Sequence, residues 1–279
     1  MANKLYTYFQ LLSLDVALGA AAMSLLFTHC ISVSIYWENY LYLGLSVWLI
    51  YTLDHLMDVH KLGHTASTPR HRFHQTHFGL IFNCWLIIFI AVLSSALLVL
   101  PTKVITTGLT LSLLVAIHIL LVTFFGHRLS FFIQKEFVIA LIYTIGVSFA
   151  PIVLFQNEWQ LHYTLTVINV FILALINLLT FSLFEKKHDQ WDSKTSFARY
   201  FGAKITKRSL ACLFAILFCI AIYNFYTLPA SRWVLQLVLN GMGFSLLLIF
   251  LKKSYFQSNE RYRVLGDLVF MYPFALLIA

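Results

Sequence analysis

Two pairs of carboxylates follow long apolar stretches of this 279-residue chain. Asp54 and Asp58 form the first pair, Glu185 and Asp189 form the second, and the two acids of each pair stand four residues apart. Positions i and i+4 lie on one face of a helix, so the like charges of a pair repel each other unless a cation lies between them. Two such pairs at matching places predict one shared divalent-metal site.

The expected metal is Mg²⁺, which typically takes one or two protein carboxylates together with phosphate oxygens of a substrate. Basic side chains able to hold those oxygens lie in the connections between the apolar stretches: Lys61, Arg70, Arg72, Arg128 and Lys194. A diphosphate held at the mouth of an apolar bundle indicates a substrate with a hydrophobic tail. The sequence therefore predicts a polyprenyl diphosphate as ligand.

Composition indicates the elements that position these residues. The chain is 60% hydrophobic and only 11% charged, whereas a soluble domain carries about 25% charged residues. A membrane helix needs roughly 20 apolar residues, which predicts a single all-α, polytopic membrane domain over 1–279. About nine spans are expected: 12–36, 39–57, 78–100, 104–125, 136–155, 160–184, 209–228, 233–251 and 264–279.

The basic residues predict the orientation of these spans. Of the 19 Lys and Arg, only Lys103 and Arg232 fall on one predicted side of the membrane. Because basic residues concentrate in cytoplasmic loops, the N-terminus and both acidic pairs are expected on the cytoplasmic side of the inner or plasma membrane. The net charge of +8 is thereby explained without a nucleic-acid partner.

Other polar residues receive simpler interpretations. Asp15, at the start of the first span, is expected at the membrane interface. Asp192 is expected to be a solvated loop acid or a helix cap, with contact to the metal as the alternative. The four cysteines have no C-x-x-C spacing and are interpreted as buried packing residues: Cys30, Cys84, Cys212 and Cys219.

The pattern resembles the UbiA superfamily of intramembrane prenyltransferases, which has nine helices and acidic motifs after the second and sixth. Asp54 and Asp58 match the last two acids of its first motif, N-D-x-x-D-x-x-x-D, and Arg70 and Arg72 resemble its basic loop. The second motif, D-x-x-x-D-x-x-x-G followed by a Lys/Arg-Thr-Leu run and Gly, has counterparts in this register: Glu185, Asp189, Lys194, Ser196, Phe197 and Gly202.

The chain departs from the family motifs at four positions. Ile50 and Tyr51 stand where the first motif has Asn and Asp. In the second motif, Glu185 replaces an Asp and Ser193 replaces the Gly.

The resemblance implies a Mg²⁺-dependent transfer of a polyprenyl group from its diphosphate to a hydrophobic acceptor within membrane lipid. The four carboxylates would hold the metal, and Arg70, Arg72 and Lys194 would stabilise charge on the departing diphosphate. The acceptor remains open between phenolic acids, quinone precursors, tetrapyrroles, glycerol lipids and carotenoids.

Two other classes of function are compatible with the sequence. Six histidines lie close together, with H-x-x-x-H and H-x-x-H spacings that suit iron or zinc: His55, His60, His64, His71, His74 and His77. They indicate a di-iron membrane desaturase or hydroxylase as the first alternative, although the remaining histidines form no further box. The second is a non-catalytic UbiA-like lipid-binding protein.

Overall fold

The computed structural model of the chain describes residues 2–60, 62, 64–129, 135–192 and 195–278, without the side chains of residues 2–5 and 122–129. Its α-helices are α1 Ala2–Leu11, α2 Leu14–Ile31, α3 Trp37–His60, α4 Pro69–Thr76, α5 Phe78–Val99, α6 Thr102–Leu129, α7 Lys135–Leu154, α8 Leu161–Trp191, α9 Phe197–Thr227, α10 Trp233–Leu251, α11 Lys253–Gln257 and α12 Arg261–Leu268. Short 3₁₀ helices span Ala230–Arg232, Ser258–Glu260 and Val269–Leu277. No strand occurs within the described ranges, so the all-α prediction is confirmed.

Seven of the described helices, α2 and α5 to α10, are long and apolar enough to cross a membrane. A backbone in lipid must satisfy its hydrogen bonds within its own segment, which long apolar runs achieve as helices. The chain is therefore an integral membrane protein, but nine spans are not established. Of the other two predicted spans, 39–57 lies in α3, a 24-residue helix that carries Glu38, Asp54 and Asp58.

The second of these, 264–279, is not a continuous α-helix. α12 ends at Leu268 and is followed by the 3₁₀ helix Val269–Leu277, with Pro273 inside it. Proline lacks the backbone N–H that an α-helix requires and collides with the preceding turn. The prediction of a ninth helical span is thus replaced by two short helical segments, which pack against α2 and α10.

α2 and α8 form the centre of the bundle. In each, 72% of the membrane-length window is buried within the protein, against 6% for α5 and 11% for both α6 and α9. A helix that is apolar all round and buried belongs to the core, whereas outer apolar helices face lipid. The central helix α8 packs against α7, α9 and α10, while α2 packs against α3, α7 and the C-terminal 3₁₀ helix.

The cysteines illustrate this division. Cys30 of α2 is buried, as predicted, but Cys84, Cys212 and Cys219 are exposed. The prediction that all four are buried packing residues was wrong for these three. They lie on α5 and α9, whose outward faces are apolar, and a thiol is apolar enough for such a face.

α9 bends near its start at Gly202, which has φ 82° and ψ 159°. Only glycine adopts this conformation without steric cost. The first turn of α9 therefore runs in a different direction from the long apolar part of the helix.

Candidate active site

The two acidic pairs lie at the same end of the bundle. Asp54 and Asp58 are in the last two turns of α3, and Glu185 and Asp189 are in the last two turns of α8. The loop after α3 is bonded to the end of α8: the Ser67 hydroxyl donates to Asp192 Oδ2 at 2.6 Å, and the Ser67 N–H lies 3.3 Å from Asp192 Oδ1. Asp192 is buried, so it is not a solvated acid, but it occupies the C-cap position of α8, as the alternative of a helix cap predicted.

Lys135 links three of the four predicted acids. It is the first residue of α7 and is partly buried. It interacts electrostatically with four acids, in decreasing order Asp54, Asp58, its neighbour Glu136 and Asp189. One ammonium group thus offsets carboxylates from two distant parts of the sequence. From the sequence, Lys135 counted only among the basic residues that predict the membrane orientation. The available signal for its role was a basic residue beginning an apolar helix at the acidic end.

The neighbouring residue fixes the helix that follows. The Glu136 carboxylate is buried and accepts the Phe197 N–H at 2.6 Å, while Ser182 Oγ accepts the Ala198 N–H at 2.9 Å. The first N–H groups of a helix lack partners within the helix and favour negative charge. Two side chains from α7 and α8 therefore hold the start of α9 beside the acidic end.

Glu185 has different partners from the other three acids. Its Oε2 lies 2.7 Å from Arg263 Nη2, and its Oε1 accepts the Tyr262 hydroxyl at 3.1 Å. Burial, with the Glu185 charge adding to it, raises the pKa of Tyr262, so the hydroxyl stays protonated and donates. Neither α12 residue was singled out from the sequence, since their contact with Glu185 joins positions far apart in the chain.

Arg70 lies between two buried acids. Its Nη2 is 3.6 Å from Asp15 Oδ2 and 3.4 Å from Asp267 Oδ2. Asp15 is fully buried within the bundle, and its depth in the membrane stays a prediction. A buried carboxylate requires a cation or hydrogen-bond donors, and Arg70 supplies that charge to α2 and α12 at once.

The other predicted phosphate-binding residues fall into two groups. Arg72 donates to the backbone oxygens of Ala66 and Ser67, at 3.4 and 3.2 Å. The predictions for Lys61 and Lys194 fall outside the described residues, and so does the side chain of Arg128.

Three of the clustered histidines pack together beside Asp58. The rings of His71 and His74 lie 4.9 and 5.0 Å from that of His55, measured between centroids. His71 Nε2 is 3.4 Å from Asp58 Oδ2, and its Nδ1 shares a 2.6 Å hydrogen bond with the Thr68 hydroxyl. Within the part of the chain that the structure describes, no group of three or more His, Cys, Asp or Glu side chains is arranged to hold a metal.

The chain is a helical membrane protein in which long apolar helices surround two buried ones. The candidate site is the group of charged residues at one end of this bundle. Comparison with solved structures gives the fold. A UbiA homolog from Archaeoglobus fulgidus bound to GPP and Mg²⁺ superposes with a TM-score of 0.63 at 14% identity, covering 98% of this chain and 99% of that one. A UbiA homolog from the same organism bound to DMAPP and Mg²⁺ superposes with a TM-score of 0.59 at 13% identity, with the same coverage of both chains.

No protein-family model and no curated protein matches the sequence. The structural likeness extends over nearly the whole length of both chains, so the protein has the UbiA-homolog fold.

Proposed function

We propose that this protein is a member of the UbiA superfamily that transfers a polyprenyl group from its diphosphate to a hydrophobic acceptor, with Mg²⁺ as cofactor. The observation that supports this most directly is that the Ser67–Asp192 hydrogen bond joins the loop after α3 to the end of α8. These two helix ends carry Asp54, Asp58 and Asp189, which all act electrostatically on Lys135. Acids from α3 and α8 share one cation at the mouth of an apolar bundle, and the bundle has the fold of proteins whose structures contain prenyl diphosphates and Mg²⁺.

The donor chemistry of these residues suits Mg²⁺. Carboxylate oxygens are the ligands it prefers, and it uses only one or two of them when a substrate phosphate completes its coordination. A site lacking a closed set of three protein donors is therefore compatible with a metal held jointly with a diphosphate. Asp54, Asp58 and Asp189 are the proposed ligands, and Glu185 would join them by exchanging its contact with Arg263. The metal would offset the charge of the diphosphate as it departs.

Lys135 is the proposed partner of the diphosphate itself. Its ammonium group feels the charges of the acids, and it can donate to a phosphate oxygen. Lys61, Arg72, Arg128 and Lys194 remain proposed phosphate-binding residues. Arg70 is the least suited of the predicted set, because its guanidinium is held by Asp15 and Asp267.

The test uses purified full-length protein in lipid nanodiscs with radiolabelled geranyl diphosphate. Without an added acceptor, water takes the geranyl group, so labelled geraniol and diphosphate are expected with Mg²⁺ and not with excess EDTA. Asp54→Asn and Asp189→Asn should each lower the rate by about 100-fold or more, the range seen when a charge-stabilising group is removed. Glu158→Gln, at an exposed acid outside this end of the bundle, is the matched control and should retain the wild-type rate.

Unchanged rates in both Asp variants would contradict the assignment. Mg²⁺-dependent binding of geranyl diphosphate without any release would instead identify a non-catalytic lipid-binding protein.

A further inference from the structure

Three lysines from three different helices lie close together at the acidic end of the bundle, outside the carboxylate site. Lys187 is near the end of α8, Lys207 is in the first third of α9, and Lys253 begins α11. Burial, and then the charges of Lys207 and Lys187, lower the pKa of Lys253. Among the residues that the structure describes, none of the three forms an ion pair with an acid, whereas Arg70 and Arg263 at the same end each do.

Lys253 lies against the end of α8. Its Nζ is 5.4 Å from the centroid of the Phe184 ring, within the range of a cation–π contact. Gln257, one turn further along α11, donates from Nε2 to the Phe184 carbonyl oxygen at 3.5 Å. Lys187 follows Phe184 by three residues, and residues three apart are neighbours on the surface of a helix. These contacts therefore hold Lys253 beside Lys187.

A second aromatic contact brings α9 to the same place. The rings of Phe214 on α9 and Phe250 on α10 lie 5.8 Å apart. Lys207 precedes Phe214 by about two turns on the same face of α9, and Lys253 follows Phe250 just beyond the end of α10. Because α9 runs away from the acidic end and α10 returns to it, both lysines lie on the acidic-end side of this contact.

The lysines stand at the end of an apolar surface that faces outward. The membrane-length segment of α10 ends at Leu251, two residues before Lys253. Leu237, Phe244 and Leu251 are exposed and seven residues apart, so they share one face of α10. The membrane-length window of the neighbouring helix α9 is only 11% buried. Acyl chains cover such faces in a membrane, which places basic side chains at their ends among the lipid headgroups.

We propose that Lys187, Lys207 and Lys253 bind the headgroup phosphate of an anionic phospholipid whose acyl chains lie along α9 and α10. The phosphate oxygens would accept hydrogen bonds from the ammonium groups and offset their mutual repulsion. Basic pockets between membrane helices bind anionic headgroups at the cytoplasmic side, which is the side predicted for this end of the bundle. The inference is independent of the proposed function, because none of the three lysines is a proposed ligand of the metal or the diphosphate.

The test measures which lipid stays with the purified full-length protein. The protein is equilibrated in detergent micelles with equal amounts of dioleoylphosphatidylglycerol and dioleoylphosphatidylcholine, and the lipids that remain bound are counted by native mass spectrometry. The two lipids share their acyl chains, but phosphatidylcholine carries an ammonium group that the lysines repel. We expect at least about fivefold more bound phosphatidylglycerol than phosphatidylcholine, the factor that corresponds to one basic residue at an anionic membrane surface.

Single substitutions assign the excess to this cluster. Lys207→Gln and Lys253→Gln each remove one charge and should lower the excess of phosphatidylglycerol by about three- to fivefold. Lys103→Gln is the matched control, because Lys103 is an exposed lysine at the start of α6, at the opposite end of the bundle. It removes the same charge from another predicted membrane interface and should leave the excess unchanged.

Equal retention of the two lipids, or an equal loss of phosphatidylglycerol in Lys103→Gln, would overturn the inference. A wash with 10 mM inorganic phosphate before the measurement should leave most of the phosphatidylglycerol bound, because free phosphate has no acyl chains to pack on α9 and α10. Complete displacement by this wash would identify a soluble anion as the occupant and overturn the lipid assignment.

Discussion

The charge balance of the candidate site depends on single residues. Three carboxylates at the ends of α3 and α8 interact with Lys135, and Glu185 interacts with Arg263. Like charges on one helix face repel, so each cation stabilises the fold as well as the site. This dual role can be separated by measuring stability with and without Mg²⁺.

Lys135→Met removes the charge and keeps most of the aliphatic stem. Without Mg²⁺ it should destabilise the protein by roughly 1–3 kcal/mol, between the values for exposed and buried ion pairs. Millimolar Mg²⁺ should recover part of this loss, because the metal takes over the role of the ammonium group. Thermal unfolding in detergent measures both effects, with Lys103→Met as the control at an exposed site. A loss that Mg²⁺ does not reduce would argue against metal binding at these acids.

His74 gives a prediction about pH. Burial, with the nearby Arg70 charge adding to it, lowers the pKa of His74, although a hydrogen bond to the Arg70 carbonyl acts in the opposite direction. The unfolded chain therefore binds this proton at a higher pH than the folded protein does. The stabilisation is complete above the unfolded pKa of about 6.5 and is lost as pH falls towards the lower folded value.

His74→Gln should accordingly make the unfolding midpoint depend less steeply on pH between 8 and 5. Thermal melts of the variant and the wild type give the comparison. The control is His188→Gln, at an exposed histidine. Its unfolding midpoint should depend on pH as steeply as that of the wild type. Identical slopes for His74→Gln and wild type would show that this proton is not linked to folding.

Residue identity and spacing predicted the acids but not their partners. The i, i+4 spacing within each acidic pair is visible in the sequence itself. It identified Asp54 and Asp58 as one pair and Glu185 and Asp189 as the other. Asp15, Arg70 and Asp267 come from three separate elements, and no local pattern indicates that they meet. Long-range ion pairs of this kind depend on helix packing, which is not encoded in any single stretch.

At the level of elements, apolar length was the reliable signal. It located the helices around 78–100, 104–125 and 136–155 to within a few residues of α5, α6 and α7. It did not predict that α9 begins at Phe197, because Arg199, Lys204, Lys207 and Arg208 interrupt the apolar residues before position 209. The start of the helix is instead held by Glu136 and Ser182. It also did not foresee the 3₁₀ geometry around Pro273.

The bend of α9 can be tested through its glycine. A Cβ at Gly202 would meet no atom within 4 Å, so Gly202→Ala introduces only the strain of a positive φ. We expect a loss of about 1–2 kcal/mol in the free energy of unfolding. Gly79→Ala is the matched control, since a Cβ there also meets nothing within 4 Å but the residue is helical. It should stabilise the protein by about 0.5–1 kcal/mol, and losses of equal size in both variants would contradict the explanation.

At the level of the whole molecule, orientation in the membrane remains a prediction from the distribution of Lys and Arg. Thr65 lies in the exposed loop at the acidic end, and Asn157 lies beyond the opposite end of α7. A cysteine at position 65, in a background lacking the four native cysteines, should react with an impermeant maleimide only in inside-out vesicles. A cysteine at position 157 should react only in right-side-out vesicles. The reverse pattern would place the acidic pairs outside the cytoplasm.

The contacts of Arg70 also bear on how the protein is made. Asp15 and Arg70 leave the ribosome well before Asp267, which follows Arg70 by 197 residues. Until Asp267 is made, the Arg70 guanidinium has one of these carboxylate partners instead of two. A nascent chain that has not yet reached α12 would therefore contain the seven membrane-length helices but not the second carboxylate that pairs with Arg70.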